Sequence, residues 1–240
     1  MHMHLRTAIV GLILMVSPTA VFADQKVELF NGKDLTGWTK RGGNGSYRVE
    51  DGEIVGQSAP NTTNTFLCSD KEFGDFEMEL DFKIDPKDNI FNSGVQIRSH
   101  SRPEKDKKSQ KESERVFGYQ VEIDTKADRP WTGGIYFEGG IKDKNGKLIM
   151  RGENGWMFPL KDNKAAQKER HLGEWNHLKI VAKGRHIQTW LNGVPAADLT
   201  DNDEKYFTPK GFLALQVHAV GQLKDTREVR FKNIKLTTLD

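Results

Sequence analysis

The chain has 240 residues, and 36 Lys and Arg against 34 Asp and Glu give a net charge of +2 at pH 7. A nearly neutral protein has no broad positive field, so its composition argues against binding to nucleic acid or to an anionic membrane surface. Cys68 is the only cysteine, which excludes an intrachain disulfide. Its apolar neighbours favour a small buried side chain over a reactive nucleophile.

The first 23 residues predict a secretory signal peptide. A weakly basic start around Arg6 precedes an apolar run over residues 8–16, and the segment ends with the small residue Ala23. The apolar run is shorter than the ~20 residues that a membrane span needs. We therefore expect cleavage after residue 23, export to the periplasm or the medium, and one mature domain over residues 24–240.

From residue 24 onward the sequence predicts strands separated by turns. Asx-Gly pairs such as Asn192-Gly193, flanked by alternating apolar residues, favour β-hairpins. Only residues 163–170 predict a helix, and the mixed charges of residues 102–115 predict a solvated loop. The chain is therefore predicted to be all-β, and this pattern is typical of either a sandwich or a barrel. Its strands are expected at residues 47–49, 53–56, 76–84, 94–99, 118–124, 134–137, 176–183, 186–191, 211–217 and 229–236.

Alternation also predicts a polar face, because successive side chains of a strand point to opposite sides of the sheet. Polar rows on three strands are unusually rich in Gln, Glu, Asp, Arg and His, the side chains that hydrogen-bond sugar hydroxyls, and whether the three rows share one face is left open by the sequence. The first row contains Gln120, Glu122 and Asp124, the second contains Gln96, Arg98 and His100, and the third ends with Gln216 and His218.

Several blocks follow one another in an order that resembles a known family. They are LFNGKDLTGW at residues 29–38, VEDGEIVG at 49–56, FGDFE at 73–77, NSGVQIR at 92–98, GYQVEID at 118–124, TGGIY at 132–136, GEWN at 173–176, LNG at 191–193, LQVH at 215–218 and VRFKNI at 229–234. Together they are similar to the 3-keto-disaccharide hydrolase family, also called 3-keto-glucoside hydrolases, over about residues 27–238. One departure stands out: the family usually has Glu and then Gln where this chain has Gln120 and Glu122.

The resemblance implies a concanavalin A-like jelly roll, which is a two-sheet antiparallel β-sandwich. It also implies export and action on glycosides oxidised at C3 of one sugar. A ketone at C3 makes the C2 proton acidic, so a base can remove it and the C1 substituent can leave. We expect Glu122 or Asp124 to be the base and Arg98 to stabilise the enolate oxygen. His218 is the expected acid, or a base that exchanges roles with the carboxylate, because its pKa lies near neutrality.

The expected substrate-binding residues surround this group. Gln96, Gln120 and Gln216 would bind hydroxyl groups, and Tyr136 and Trp190 would offer apolar faces to a sugar ring. We expect neither a cofactor nor a metal, since no His or Cys cluster has ligand spacing. The carbohydrate, an oxidised disaccharide or glucoside, is the expected partner.

Each assignment has a structural alternative. Glu122 and Arg98 would also suit a cross-strand ion pair, Asp124 would suit a cap for the next turn, and His218 would suit a hydrogen-bonded strand end. Trp190 faces the site only if its row points the right way.

Other functions also remain open. A classical glycosidase would use Glu122 and Asp124, whose Cα atoms are ~6.5–7 Å apart along a strand. A non-catalytic carbohydrate-binding module on the same scaffold is the main alternative to an enzyme. An attachment domain without a sugar site is the third.

Overall fold

The computed structural model describes residues 25–87, 91–105, 112–126, 128–158 and 163–239. The predicted signal peptide lies outside the described residues. Within them, no helix has both the length and the apolar character needed to cross a membrane. The elements are β1 Lys26–Glu28, β2 Trp38–Gly42, β3 Ser46–Glu50, β4 Glu53–Gln57, β5 Thr65–Phe73, β6 Phe76–Ile84, β7 Asn92–Lys105, β8 Glu112–Asp124, β9 Ile135–Glu138, β10 Ile141–Lys142, β11 Leu148–Ile149, α1 Lys164–Lys168, β12 Asn176–Lys183, β13 His186–Leu191, β14 Val194–Thr200, β15 Gly211–Val217 and β16 Glu228–Thr238.

Two antiparallel sheets enclose one large core, which confirms the predicted all-β sandwich. The larger sheet has the order β14-β13-β12-β6-β16-β4-β3, with β1 paired to β16, and the smaller sheet has the order β2-β5-β15-β7-β8-β9. In β6 the even-numbered residues from Phe76 to Ile84 are buried and the odd-numbered ones between them are partly exposed. This alternation turns one face of each sheet to the other and leaves one face of each outside.

Strands with clear alternation were predicted well, and β6, β12, β13 and β15 have the predicted bounds. The prediction missed β5, because residues 65–69 are buried on both faces and therefore do not alternate. It also missed β14, an edge strand that contains Pro195, a residue that the edge of a sheet tolerates. A continuous apolar run and an internal proline are both weak strand signals.

The hairpin of β7 and β8 is longer than predicted. Residues 102–105 and 112–115 are paired as far as Lys105 and Glu112, so the prediction of a solvated loop is wrong for these residues. The register shifts between Ile97 and His100. Beyond the shift the hairpin crosses the outer face of the smaller sheet as far as β2, where Ser113 Oγ donates to the Gly42 carbonyl at 3.0 Å.

This crossing covers part of the outer face. A second apolar cluster forms beneath it, separate from the main core, and consists of Phe66, Cys68, Val116, Phe212 and Ala214. An ion pair between Arg41 of β2 and Glu114 of the hairpin, with N–O 2.6 Å, closes it at the far edge. One part of the outer face of the smaller sheet is therefore apolar and covered by the hairpin. The other part of that outer face is polar and uncovered, and we call it the site face.

Arg98 is not on the site face, so the prediction that it shares a row with Gln96 is wrong. Its φ of +45° at the register shift breaks the alternation and turns the side chain away. The buried guanidinium donates to the carbonyls of Gly74 at 2.8 Å and Gly184 at 2.6 Å, and it pairs with Asp75 at 2.8 Å. Gly74 lies between β5 and β6 and Gly184 between β12 and β13. Arg98 therefore connects turns that belong to both sheets.

We predict that Arg98→Met lowers the free energy of unfolding by on the order of 3 kcal/mol, because two buried carbonyls and a carboxylate lose their donor. Chemical denaturation measures this change. Arg48→Met, which removes exposed ion pairs to Glu50 and Glu228, is the matched control and should change stability far less. Equal stability losses in the two variants would contradict the conclusion that Arg98 holds the turns of the two sheets together.

Candidate functional site

A hydrogen-bonded network of amides and one carboxyl group forms the floor of the site face. Gln120 accepts from Gln96 and donates from Nε2 to Glu122 Oε2 at 2.6 Å. Gln120 Nε2 also approaches Gln216 Oε1 at 3.4 Å, and Ser99 Oγ donates to Gln96 at 2.7 Å. The structure therefore brings four predicted residues from three neighbouring strands into one network.

Gly94 explains how this network is packed. It pairs with Glu122 across β7 and β8, and a Cβ atom at Gly94 would lie 2.5 Å from the Gln120 side chain. The missing side chain gives Gln120 room to lie flat on the sheet and reach Glu122. The glycine of the Asn-Ser-Gly block thus has a steric role beneath the site.

Glu122 is the carboxyl group at the centre of the network and is only 4% exposed. Burial raises its pKa to about 8, and the nearby carboxylates of Glu138 and Asp124 act in the same direction. The hydrogen bond from Gln120 and the charge of Arg129 oppose the rise without cancelling it. A carboxyl group with such a pKa holds its proton at neutral pH and can act as an acid.

His218 follows the end of β15 at the edge of the same cavity. Its Nδ1 lies 2.8 Å from the carbonyl oxygen of Ala219. A carbonyl only accepts, so Nδ1 carries the proton and the lone pair of the neutral ring lies on Nε2. Burial lowers the pKa of His218 from its usual 6.5, which keeps the ring neutral at pH 7. The ring is therefore suited to act as a base.

An aromatic wall stands beside these groups. Trp156 packs against Trp131 with ring centroids 5.1 Å apart and against Tyr136 at 5.3 Å. All three line a cavity of about 280 Å³ together with Asn92, Gln120, Glu122, Glu138, Asn154 and His218. Aromatic faces and hydrogen-bonding edges in one small cavity are suited to a sugar ring, which has apolar C–H faces and polar hydroxyls.

Two loops carry this wall, the first with Trp131 and the second with Trp156, and an arginine holds each of them: partly exposed Arg170 the first and buried Arg151 the second. Arg151 of the second loop pairs with Asp201 at 2.7 Å and donates to the Tyr119 hydroxyl at 3.2 Å, deep inside the fold. In the first loop, Gly133 accepts from the Thr189 hydroxyl and thereby fixes the segment after Trp131. Arg170 reaches the same loop through the carbonyls of residues 124, 126 and 129. The wall thus rests on the core.

Asp124 stabilises the turn that follows β8, so the prediction that it lies in the site together with Glu122 is wrong. Its Oδ1 accepts from the Lys126 backbone N–H at 2.9 Å and from Arg129 at 2.7 Å, and Asp124 does not line the cavity. The guanidinium of Arg129 in turn lies 3.9 Å from the centre of the Trp131 ring. The alternative, in which Asp124 caps the next turn, is confirmed, and Asp124 supports the wall indirectly.

Trp190 lies far from this cavity. It belongs to β13 of the larger sheet and pairs with Lys179, whose ammonium lies 5.7 Å from the ring on the outer side of that sheet. The prediction that Trp190 contributes to the same site is therefore wrong. Its row faces away from the core, on the sheet opposite the site face.

Sequence reasoning missed five residues of the cavity lining: Asn92, Trp131, Glu138, Asn154 and Trp156. Alternation would have found Glu138, two positions after Tyr136 on β9, if the predicted strand had not stopped at residue 137. Glu138 accepts from Arg115 at 2.8 Å and from Asn64 at 3.2 Å. Trp131 and Trp156 lie in loops, where strand alternation does not predict the direction of a side chain.

No group of three or more His, Cys, Asp or Glu arranged to hold a metal ion occurs among the residues that the structure describes.

Comparison with known families shows to which family the chain belongs. The family model of 3-keto-alpha-glucoside-1,2-lyase-like domains matches residues 25–237. The chain belongs to this family. The match confirms the resemblance carried by the sequence blocks and makes the protein a carbohydrate-active domain of the 3-keto-glucoside lyase-like kind. A search of curated proteins found no match.

Solved structures show the same fold at low sequence identity. A provisionally assigned glycosyl hydrolase from Parabacteroides distasonis is 24% identical with a TM-score of 0.57, covering 90% of this chain and 94% of that one. A Bacillus subtilis protein of unknown function with a galectin-like fold is 10% identical with a TM-score of 0.54, covering 91% and 98%. A carbohydrate-binding module from Bacillus subtilis is 18% identical with a TM-score of 0.50, covering 83% and 95%. These similarities confirm the jelly-roll class.

The raised pKa of Glu122 predicts a specific pH dependence of stability. The folded protein keeps a proton on Glu122 up to about pH 8, whereas the unfolded chain loses it near pH 4.3. Stability contributed by this group therefore falls as pH rises between these values, by at most about 1.4 kcal/mol per pH unit. In Glu122→Gln, denaturation across pH 5–8 should show a flatter profile than in the wild type.

The exposed Glu28→Gln variant is the control and should keep the wild-type profile. If Glu122→Gln follows the wild type at every pH, the carboxyl group is ionised in the folded protein and the assignment of Glu122 as an acid fails.

Proposed function

We propose that the protein is an exported enzyme that cleaves 3-keto-glucosides or 3-keto-disaccharides, with Glu122 as the acid and His218 as the base. One observation carries the proposal: a carboxyl group that keeps its proton and an imidazole with a free Nε2 line the same small cavity, beside an aromatic wall. Membership of the 3-keto-glucoside lyase-like family supports the oxidised sugar as the substrate.

The first chemical step is removal of the C2 proton. His218 is suited to it because Nε2 carries the lone pair and, among the described residues, makes no hydrogen bond. The ring receives the proton from C2, and the electron pair of that C–H bond moves into the enolate of the C3 ketone. Because the Ala219 carbonyl accepts from Nδ1, it also favours the imidazolium that forms.

The second step is departure of the C1 substituent. Glu122 donates its proton to the glycosidic oxygen as the C1–O bond breaks, which leaves an unsaturated ketone and the free alcohol. Gln120 already donates to Oε2, so the proton is expected on Oε1. The resulting carboxylate then takes a proton from water that adds at C1, and the imidazolium returns its proton to C2, so the net reaction is hydrolysis.

The enolate oxygen needs a hydrogen-bond donor. A side-chain amide takes the role that the sequence had assigned to Arg98, which does not line the cavity. Asn92 lines the cavity and approaches Glu122 Oε1 at 3.5 Å, a long contact that leaves its amide available to a ligand. Gln216 lies beneath the cavity lining with Nε2 buried and without a hydrogen-bond partner, so Asn92 is the amide that a ligand reaches directly. Preorganised amide donors of this kind stabilise charge that develops in a transition state.

The classical glycosidase alternative loses Asp124, the carboxyl group that was expected to act together with Glu122. Asp124 is held by Arg129 and the following turn and lies outside the cavity lining. A paired acid and nucleophile on β8 is therefore disfavoured relative to base-initiated elimination.

We predict that the purified protein converts a 3-keto-disaccharide and leaves its unoxidised parent intact, because only the ketone acidifies the C2 proton. Glu122→Gln and His218→Gln should each lower kcat by about 10²–10⁴-fold, while Trp190→Ala on the opposite sheet should match the wild type. Product analysis and initial rates measure these effects. Measurable binding without turnover of either sugar would instead establish a carbohydrate-binding module.

We also predict the shape of the pH profile. Activity needs Glu122 protonated and His218 neutral, so kcat/KM should fall above about pH 8 as Glu122 loses its proton. It should fall again at acidic pH, below the usual 6.5 of a histidine, because the pKa of His218 is lowered. An activity that rises steadily through pH 8 would reject Glu122 as the acid.

A further inference from the structure

A second and larger cavity adjoins the first on the same face. It measures about 540 Å³, against about 280 Å³ for the first, and the two share Tyr136 and Glu138 in their linings. Glu138 is fixed at this junction by Arg115 and Asn64. A ligand that occupied both cavities would therefore cross from one to the other beside Glu138 and Tyr136.

The two walls of the larger cavity differ in character. One wall is the crossing hairpin, which contributes Arg102 and Arg115. The other wall contributes Leu148 and Met150, which are 50% and 38% exposed. These belong to the small set of large hydrophobic residues that remain exposed in the described part of the chain. Apolar side chains left in water at the mouth of a cavity gain free energy when a ligand covers them.

The polar part of the lining carries charges of both signs, because Glu104 and Glu114 lie beside the cations and Lys142 pairs with Glu104 at 3.5 Å. Arg102 donates to the carbonyls of Gly139 and Gly140 at 2.8 Å each, and its Nε is buried without a hydrogen-bond partner. Lys142 also lines the cavity. A ligand with an apolar ring face and oxygen substituents at its edge would satisfy both kinds of surface.

We propose that this cavity binds the leaving group of the substrate and that it selects an aromatic alcohol with polar ring substituents. This inference rests on the proposed function, since the glycosidic bond would join a keto sugar in the smaller cavity to an aryl group in the larger one. The smaller cavity, with its aromatic wall, is at the lower end of the ~300–1,000 Å³ range of ligand pockets and suits one sugar ring. The larger cavity exceeds what a second sugar ring requires.

The choice of an aryl group over a second sugar follows from the side chains. Aromatic rings are confined largely to the smaller cavity, while the larger one offers the flexible aliphatic chains of Leu148 and Met150. Methionine sulfur makes favourable contacts with aromatic rings. Polar side chains at the opposite edge, Arg102 and Lys142 among them, would hydrogen-bond oxygen substituents of the ring.

The test compares methyl and 2-naphthyl glycosides of 3-ketoglucose with two double variants. Leu148→Ala/Met150→Ala removes the apolar wall, whereas Leu172→Ala/Leu223→Ala removes two other apolar side chains, 37% and 36% exposed, that do not line the cavity. The wall variant should raise KM for the naphthyl glycoside roughly tenfold, corresponding to about 1.4 kcal/mol of lost contact, and leave the methyl glycoside unchanged. The control variant should resemble the wild type with both substrates.

Equal effects of the wall variant on the two glycosides, or none on either, would overturn the leaving-group assignment while turnover of the methyl glycoside upholds the proposed function. If neither glycoside is converted, the proposed function fails. A titration with free 2-naphthol then tests separately whether the larger cavity binds an aryl group. Binding to the wild type that is weakened by the wall variant supports an aryl site. No binding to the wild type overturns it.

Discussion

The break in strand alternation at Arg98 determines how the rest of the site is built. A left-handed backbone at this residue turns its guanidinium into the space between the turns of both sheets, where it makes two carbonyl contacts and an ion pair. The same register shift directs the β7–β8 hairpin across the outer face of the smaller sheet. Because the hairpin covers only the apolar part of that face, the polar part remains accessible and becomes bounded on one side. The cavity is therefore a consequence of where the register of this hairpin shifts.

Burial in that cavity acts on two titratable groups in opposite directions, and the proposed chemistry depends on both. Removal from water disfavours the charged form of each group, so the pKa of Glu122 rises and that of His218 falls. At neutral pH the site then holds a protonated carboxyl group and a neutral imidazole. This is the state needed to begin a reaction that removes a proton at one carbon and delivers another to the leaving oxygen. In water a glutamate, with a pKa of about 4.3, would be ionised at neutral pH, so burial is what provides the site with an acid.

Period-two alternation sufficed to predict the fold and the floor of the site, because Gln120, Glu122 and Gln216 lie on regular strands whose register fixes their direction. It failed at Arg98, since a bulge depends on contacts made by residues distant in sequence. It failed differently for Trp190, because alternation assigns a side of a sheet but does not reveal which outer side carries the cavity. Trp156 was out of reach for a third reason: its loop is positioned by tertiary contacts such as the buried Arg151–Asp201 pair. The local alternation of apolar and polar residues predicts to which side of its strand a side chain points. The pairing of strands and loops that are distant in sequence decides which of these side chains meet in one cavity.

The five tryptophans of the chain allow the location of the site to be tested directly. Two of them, Trp131 and Trp156, line the cavity, whereas Trp38 is buried and Trp175 and Trp190 contact lysines of the larger sheet. Fluorine NMR of protein labelled with fluorotryptophan, titrated with a 3-keto-disaccharide, distinguishes these positions by single-site replacement with phenylalanine. The account predicts that the signals of Trp131 and Trp156 shift while the other three stay in place. Shifts confined to Trp175 and Trp190 would place the sugar on the opposite sheet and contradict the account.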